Sequence, residues 1–139
     1  MRSESKKNKS LQVFTSTLTV APNDLDDLNH VNNIVYVKWV QQIAERHWHA
    51  NAKHDILKNY FWVLTSHHIK YKSQAFLGDE ILLKTFVTHS KGVRSTRQVD
   101  VYNNFNQQLL ATSTTEWCLM DAKTKKPTRI TDTIKSLFD

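Results

Sequence analysis

Carboxylates, an imidazole and amides crowd into the short stretch from Asn23 to Asn33, which holds Asp24, Asp26, Asp27, Asn29, His30 and Asn32. A carboxylate can take a proton from water or attack a carbonyl carbon, an imidazole can pass a proton on, and amides can orient both. Spacing alone assigns Asp24, Asp26 and Asp27 alike to turns and caps, the ordinary place for Asp before a helix. His30 beside Val31 suits hydrogen-bonded packing as well as proton transfer. What raises the stretch above a polar loop is its continuation, because from Ile34 an apolar run keeps helical spacing for about four turns.

That helix has two unequal faces. Lys38, Gln41, Gln42, Glu45 and His49 form one polar stripe, while Ile34, Tyr36, Val37, Trp39, Val40, Ile43, Ala44 and Trp48 cover the remainder. So wide an apolar arc predicts a helix largely enclosed, most economically by a curved sheet. Asn32 and Asn33 stand at the N-cap, and the first backbone N–H groups beyond them have no carbonyl inside the helix. Such donors can serve a ligand oxygen.

The elements around it are extended. Leu11 to Val20 alternates as a strand with a slip near Val13, and Ala21-Pro22-Asn23 ends it. After the helix, Asn51 to Asn59 reads as a polar connector. Strands are predicted over Phe61 to Lys72, Glu80 to His89, Val93 to Tyr102 and Gln108 to Met120, with turns at Ala75 to Asp79, Lys91-Gly92 and Asn103 to Asn106. A short helix is expected from Asp132. Short turns between consecutive strands favour an antiparallel meander, so the fold class is α+β, a five-stranded curved sheet around one long helix. The only glycines, Gly78 and Gly92, fall at turns, and asparagine is expected to take the left-handed conformation elsewhere.

Composition excludes several classes. With 139 residues and 40% hydrophobic content the chain is read as one domain over 11–139 behind a disordered basic tail over 1–10. The tail's Arg2, Lys6, Lys7 and Lys9 against Glu4 supply half of the net charge of +6, which argues against a nucleic-acid-binding face. The single cysteine, Cys118, offers neither a disulfide framework nor a cysteine zinc site. No apolar stretch reaches membrane-spanning length and no signal-peptide core is present, so a cytoplasmic protein is expected. His47 and His49 lack the H-E-x-x-H spacing of a metal site and are read as surface residues, His67 and His68 point to opposite sheet faces, and Lys91, Arg94 and Arg97 are read as solvated hairpin cations.

The run Asp24-Leu25-Asp26-Asp27-Leu28-Asn29-His30-Val31-Asn32-Asn33 with Tyr36 resembles the D-x-D-x-x-G-H-V-N-N-x-x-Y signature of hotdog-fold acyl thioesterases, the group of 4-hydroxybenzoyl-CoA thioesterase and the acyl-carrier-protein thioesterases. Ile69 to Asp79 resembles their I-x-Y-x-x-P-A-x-x-G-D segment, Arg94-Ser95 their basic-Ser pair, and Asp121 to Pro127 their D-x-x-T-G-R-P ending. Asn29 replaces the usual Gly, Gln74 the usual Pro, and Leu28 an Asn that plant acyl-carrier-protein thioesterases use. The resemblance implies a hotdog fold and hydrolysis of an acyl-CoA or acyl-carrier-protein thioester without a cofactor. It implies Asp26 as general base or nucleophile, the Asn33 N–H as the donor polarising the thioester oxygen, and His30 as its assistant. Asn32, Tyr36, Arg94 and Ser95 take substrate-binding positions by the same resemblance, with Arg94 meeting CoA phosphates. A homodimer or homotetramer is expected, since one curved sheet leaves an open edge. The alternatives are a non-catalytic acyl-CoA-binding protein and, against the missing D-x-N-x-x-H pattern, a hotdog hydratase or dehydratase.

Overall fold

The structure, a computed structural model, describes residues 12–139. The basic tail lies outside the described residues. Strand β1 (Phe14–Thr19) and a 3-10 turn (Pro22–Asp24) lead through the polar loop into helix α1 (Asn33–Asn51), followed by α2 (His54–Asn59), β2 (Tyr60–Tyr71), β3 (Glu80–Lys91), β4 (Arg94–Asn103), β5 (Leu109–Asp121) and α3 (Asp132–Ser136).

Helix α1 starts where its cap is. The Asn32 side chain accepts from the Ile34 N–H at 3.1 Å, and beyond it Tyr36, Val40, Ile43 and His47 recur at helical spacing on the buried side. Lys38, Gln41, Gln42, Glu45 and His49 stay exposed, as their stripe requires. The buried side meets Ile81, Leu83, Val99, Val101 and Leu110 from the sheet. A second cluster joins Trp48 and Ala52 at the helix's end to Leu119, Ile134 and Phe138, so α3 docks there through Ile134, its first turn capped by the Thr131 hydroxyl.

All pairings are antiparallel, and the sheet order is β1-β3-β4-β5-β2. The expected meander holds for β3 to β5 but not for β2, which lies at the far edge beside β5. Turn residues mark a reversal without saying which edge the next strand joins. The segment from Lys72 to Asp79 is therefore a strap across the end of the sheet. Its Lys72 and Ser73 N–H groups donate to Leu110 O (2.7 and 3.1 Å), Val31 N–H donates to Ala75 O at 3.1 Å, and Gly78 N–H donates to Val20 O at 3.1 Å.

One other expectation gives way. The segment read as a connector folds as α2, because Ile56 and Leu57 pack against the cluster at Trp48 and tertiary burial outweighs a polar local sequence. Strand β1 begins only at Phe14, one residue after the expected slip at Val13, and pairs evenly with β3 from Phe14 to Thr19. The irregularities fall between Leu64 and Ser66, Val87 and His89, and Val101 and Tyr102. Asn29 does take the left-handed conformation (φ 64°), in company with Gln107 and Lys125, two positions where asparagine is absent.

Candidate active site

The polar loop is closed by its own hydrogen bonds. Asp26 N–H donates to His30 O at 2.8 Å, and Asp26 Oδ1 accepts from the N–H groups of Leu28 (2.9 Å) and His30 (3.1 Å). Left-handed Asn29 lets the chain double back tightly enough for this. One carboxylate oxygen of Asp26 is thus a turn cap, and Oδ2 has no partner among the described residues. Asp24 differs, for its Oδ2 caps the 3-10 turn by accepting from Ala21 N–H at 2.9 Å. Asp27 is exposed.

Downstream, Asn32 N–H donates to Asp24 O at 2.9 Å, which anchors the helix start to the loop. The Asn33 N–H has no acceptor among the described residues, and its carbonyl accepts from the Tyr71 hydroxyl at 3.3 Å. A free amide at a helix start and a half-used carboxylate in the loop that leads to it are the two kinds of group that carbonyl addition uses. His30 is joined to Asp26 through backbone only. Its ring stands edge-on to Phe76 of the strap, centroids 5.5 Å apart. Tyr36 is buried in the core against Trp39 and Tyr71, and burial raises the pKa of its hydroxyl, an effect the Ala75 backbone opposes.

A cavity of about 620 Å³ begins one residue beyond Asn33, at Ile34, and follows α1 to Trp48. Across from the helix it is walled by Trp62 and Trp117 and floored by Ser95 and Arg97. Arg94 and Ser95 therefore part company: Ser95 is buried facing the cavity and Arg94 is exposed on the opposite face of β4.

Arg97 and His47 are not the surface residues their types suggested. Arg97 is 5% exposed and His47 0%. Arg97 Nη1 donates to His47 Nδ1 at 2.9 Å and to Thr85 Oγ1 at 3.0 Å. The His47 Nε2–H then donates to Gln12 Oε1 at 2.7 Å, which also accepts from Asn51 Nδ2 at 2.6 Å. The imidazole lies between the rings of Phe14 and Phe138, each 4.9 Å away.

A model of the Thioesterase-like superfamily matches residues 20–138. The chain belongs to that superfamily. No curated protein matches this thioesterase-like chain by sequence. Among solved structures, a 1,4-dihydroxy-2-naphthoyl-CoA thioesterase from Synechocystis is similar with a TM-score of 0.78 at 17% identity, covering 90% of this chain and 94% of that one. A hypothetical protein from Staphylococcus aureus in complex with CoA gives a TM-score of 0.81 at 18% identity, with 91% and 82% covered. The 12:0-ACP thioesterase from Umbellularia californica gives 0.78 at 16% identity, with 92% of this chain but 51% of that one covered. At such identities the likeness is one of fold, and the fold is the hotdog that the loop signature implied.

Among the described residues no helix of this thioesterase-like protein is long and apolar enough to cross a membrane. Its buried His47 makes folding sensitive to acid. Burial first, and the adjacent Arg97 charge second, lower its pKa from the ordinary value near 6.5 to about 4. The unfolded chain then binds a proton that the folded one refuses, so this contribution to stability is complete above pH 6.5 and is lost as pH falls toward 4. His67, lowered by burial and His68, acts in the same direction. Melting temperature followed over that window should fall less steeply for His47→Gln than for the wild type. Parallel curves would mean that the imidazole is protonated in the folded state.

Proposed function

We propose that this protein hydrolyses an acyl thioester to the free acid and the thiol at the loop where Asp26 meets the start of α1. The observation that carries the reading is that the Asn33 N–H is left without an acceptor at the end of the same loop in which Asp26 keeps Oδ2 free. In the general-base route, Oδ2 takes a proton from water as its oxygen bonds to the thioester carbon. The charge that develops on the carbonyl oxygen is met by the Asn33 N–H, already oriented by the helix. Collapse breaks the C–S bond and the leaving thiolate takes the proton from Asp26. In the nucleophilic route Oδ2 bonds to the carbon itself and the C–S bond breaks to release the thiolate, after which water cleaves the resulting anhydride to give the free acid, restores the Asp26 carboxylate and supplies the proton that the thiolate takes up. His30, tied to Asp26 through backbone and braced on Phe76, holds the loop's shape in either case.

The superfamily match and the likeness to a CoA-bound protein support acyl-CoA as the carrier, while the likeness to acyl-carrier-protein thioesterases keeps that carrier as the alternative. One observation favours a protein that binds acyl-CoA without turnover: Asp26 Oδ1 performs the structural task expected of a cap. Thiol release from an acyl-CoA panel decides between them, hydrolysis supporting the enzyme and saturable binding without release the binding protein.

The assembly proposed is a homodimer. Strand β2 is a 12-residue edge with Val63 and Tyr71 exposed, and a long edge left open invites pairing with another chain. Pairing two copies along β2 would also cover the flank of the cavity lined by Tyr60 and Trp62. Sedimentation equilibrium is expected to give twice the chain mass, and a monomer with full activity would refute the pairing.

A further inference from the structure

We propose that the end of the cavity at Arg97 binds a carboxylate carried on the acyl group remote from the thioester, so that the substrate is the mono-thioester of a long-chain dicarboxylic acid. The inference rests on the thioesterase reading for its other end, where the reacting carbonyl meets Asn33.

Arg97 lines the cavity while 5% exposed, and its Nη1 is occupied by His47 and Thr85. Nε and Nη2 donate to nothing among the described residues. Both partners of Nη1 are uncharged: His47 stays neutral down to acid pH, and Thr85 passes its own hydrogen to Gln98 O at 2.9 Å. No described carboxylate bonds to the guanidinium, and the nearest relief is the Phe138 ring, 5.3 Å from Cζ. Burial lowers its pKa only to about 10, so it remains a cation at neutral pH. A buried cation without a counterion is costly, and removing the cost needs an anion with good geometry. The unused edge of the guanidinium matches the two oxygens of a carboxylate.

The walls fit a chain that ends there. Trp48, Trp62 and Trp117 offer an acyl chain an aromatic wall, the polar stripe of α1 from Lys38 to His49, Glu45 included, lines the same cavity, and Ser95 adds a hydroxyl on the same face of β4 as Arg97. Arg97 bonds to the side chain of His47, about 20 Å along α1 from Ile34 at the helical rise per residue. An extended chain advances roughly 1.2 Å per bond, so an acyl group of about sixteen carbons spans that distance.

Hydrolysis-resistant CoA thioethers separate this inference from turnover. Sixteen-carbon S-alkyl chains ending in a carboxylate, a methyl ester or a methyl group are titrated calorimetrically into wild type and Arg97→Gln, with melting curves confirming the fold. The wild type should bind the carboxylate form about 10-fold or more tighter than the other two, the size expected of charge-assisted hydrogen bonds. Arg97→Gln should erase that preference and leave the methyl form's affinity within a few-fold. Equal wild-type affinities for the three overturn the inference whether or not the variant folds. If no thioether binds but free hexadecanedioate does, more tightly than its monomethyl ester, the thioester reading fails and the Arg97 site stands.

Discussion

Asp26→Asn is expected to lower kcat for thioester hydrolysis by about 10² to 10⁴, the usual cost of removing a positioned base, while melting temperature stays near wild type. The separation follows from how the carboxylate is divided. Oδ1 accepts from Leu28 and His30 at 2.9 and 3.1 Å, and an asparagine carbonyl oxygen can accept the same two bonds. Only Oδ2 becomes an amide nitrogen, which can neither take a proton from water nor attack carbon. Asp26→Ala removes both functions and should cost about 1 kcal/mol of stability as well. Asp24→Asn keeps an acceptor for the Ala21 N–H, Asp27→Asn touches nothing buried, and both should remain active. Near-normal turnover by a folded Asp26→Asn protein would leave Asp26 as a cap alone and move the chemistry to His30.

This division also explains why the loop could be read two ways from sequence. Spacing made Asp26 a cap and resemblance made it a catalyst, and the two oxygens leave room for both. The helix and strand parities were equally legible, since burial at period 3.6 or 2 shows in the order of apolar residues. His47 and Arg97 were misplaced because residue type was allowed to outweigh that order. His47 continues the row Tyr36, Val40 and Ile43, and Arg97 alternates with Ser95, Val99 and Val101, each in step with buried neighbours. The place of β2 left no such trace. It depends on which edge an eight-residue strap reaches, and the strap's hydrogen bonds are to Leu110, Val31 and Val20, far away in sequence.

Tyr36 ties that strap to the helix, and Tyr36→Ala is expected to lose about 3–5 kcal/mol in urea unfolding, the range for emptying a large aromatic site in a packed core. The ring is 2% exposed and meets Trp39 and Tyr71 edge-on at 5.2 and 5.4 Å, a cluster that fixes the first turn of α1 against the sheet. It shares the buried cluster with Ala75 of the strap, whose carbonyl accepts from Val31 N–H at the end of the polar loop. One strap residue therefore bonds to the polar loop and packs against the first turns of α1. Tyr36→Phe keeps the ring and removes only the buried hydroxyl, so its stability should stay within about 1 kcal/mol of wild type. Since Tyr36 is packed in the core, that variant should melt near wild type with KM and kcat for an acyl-CoA little changed. A Tyr36→Phe protein as stable as wild type but with KM raised several-fold would instead put the hydroxyl on the substrate.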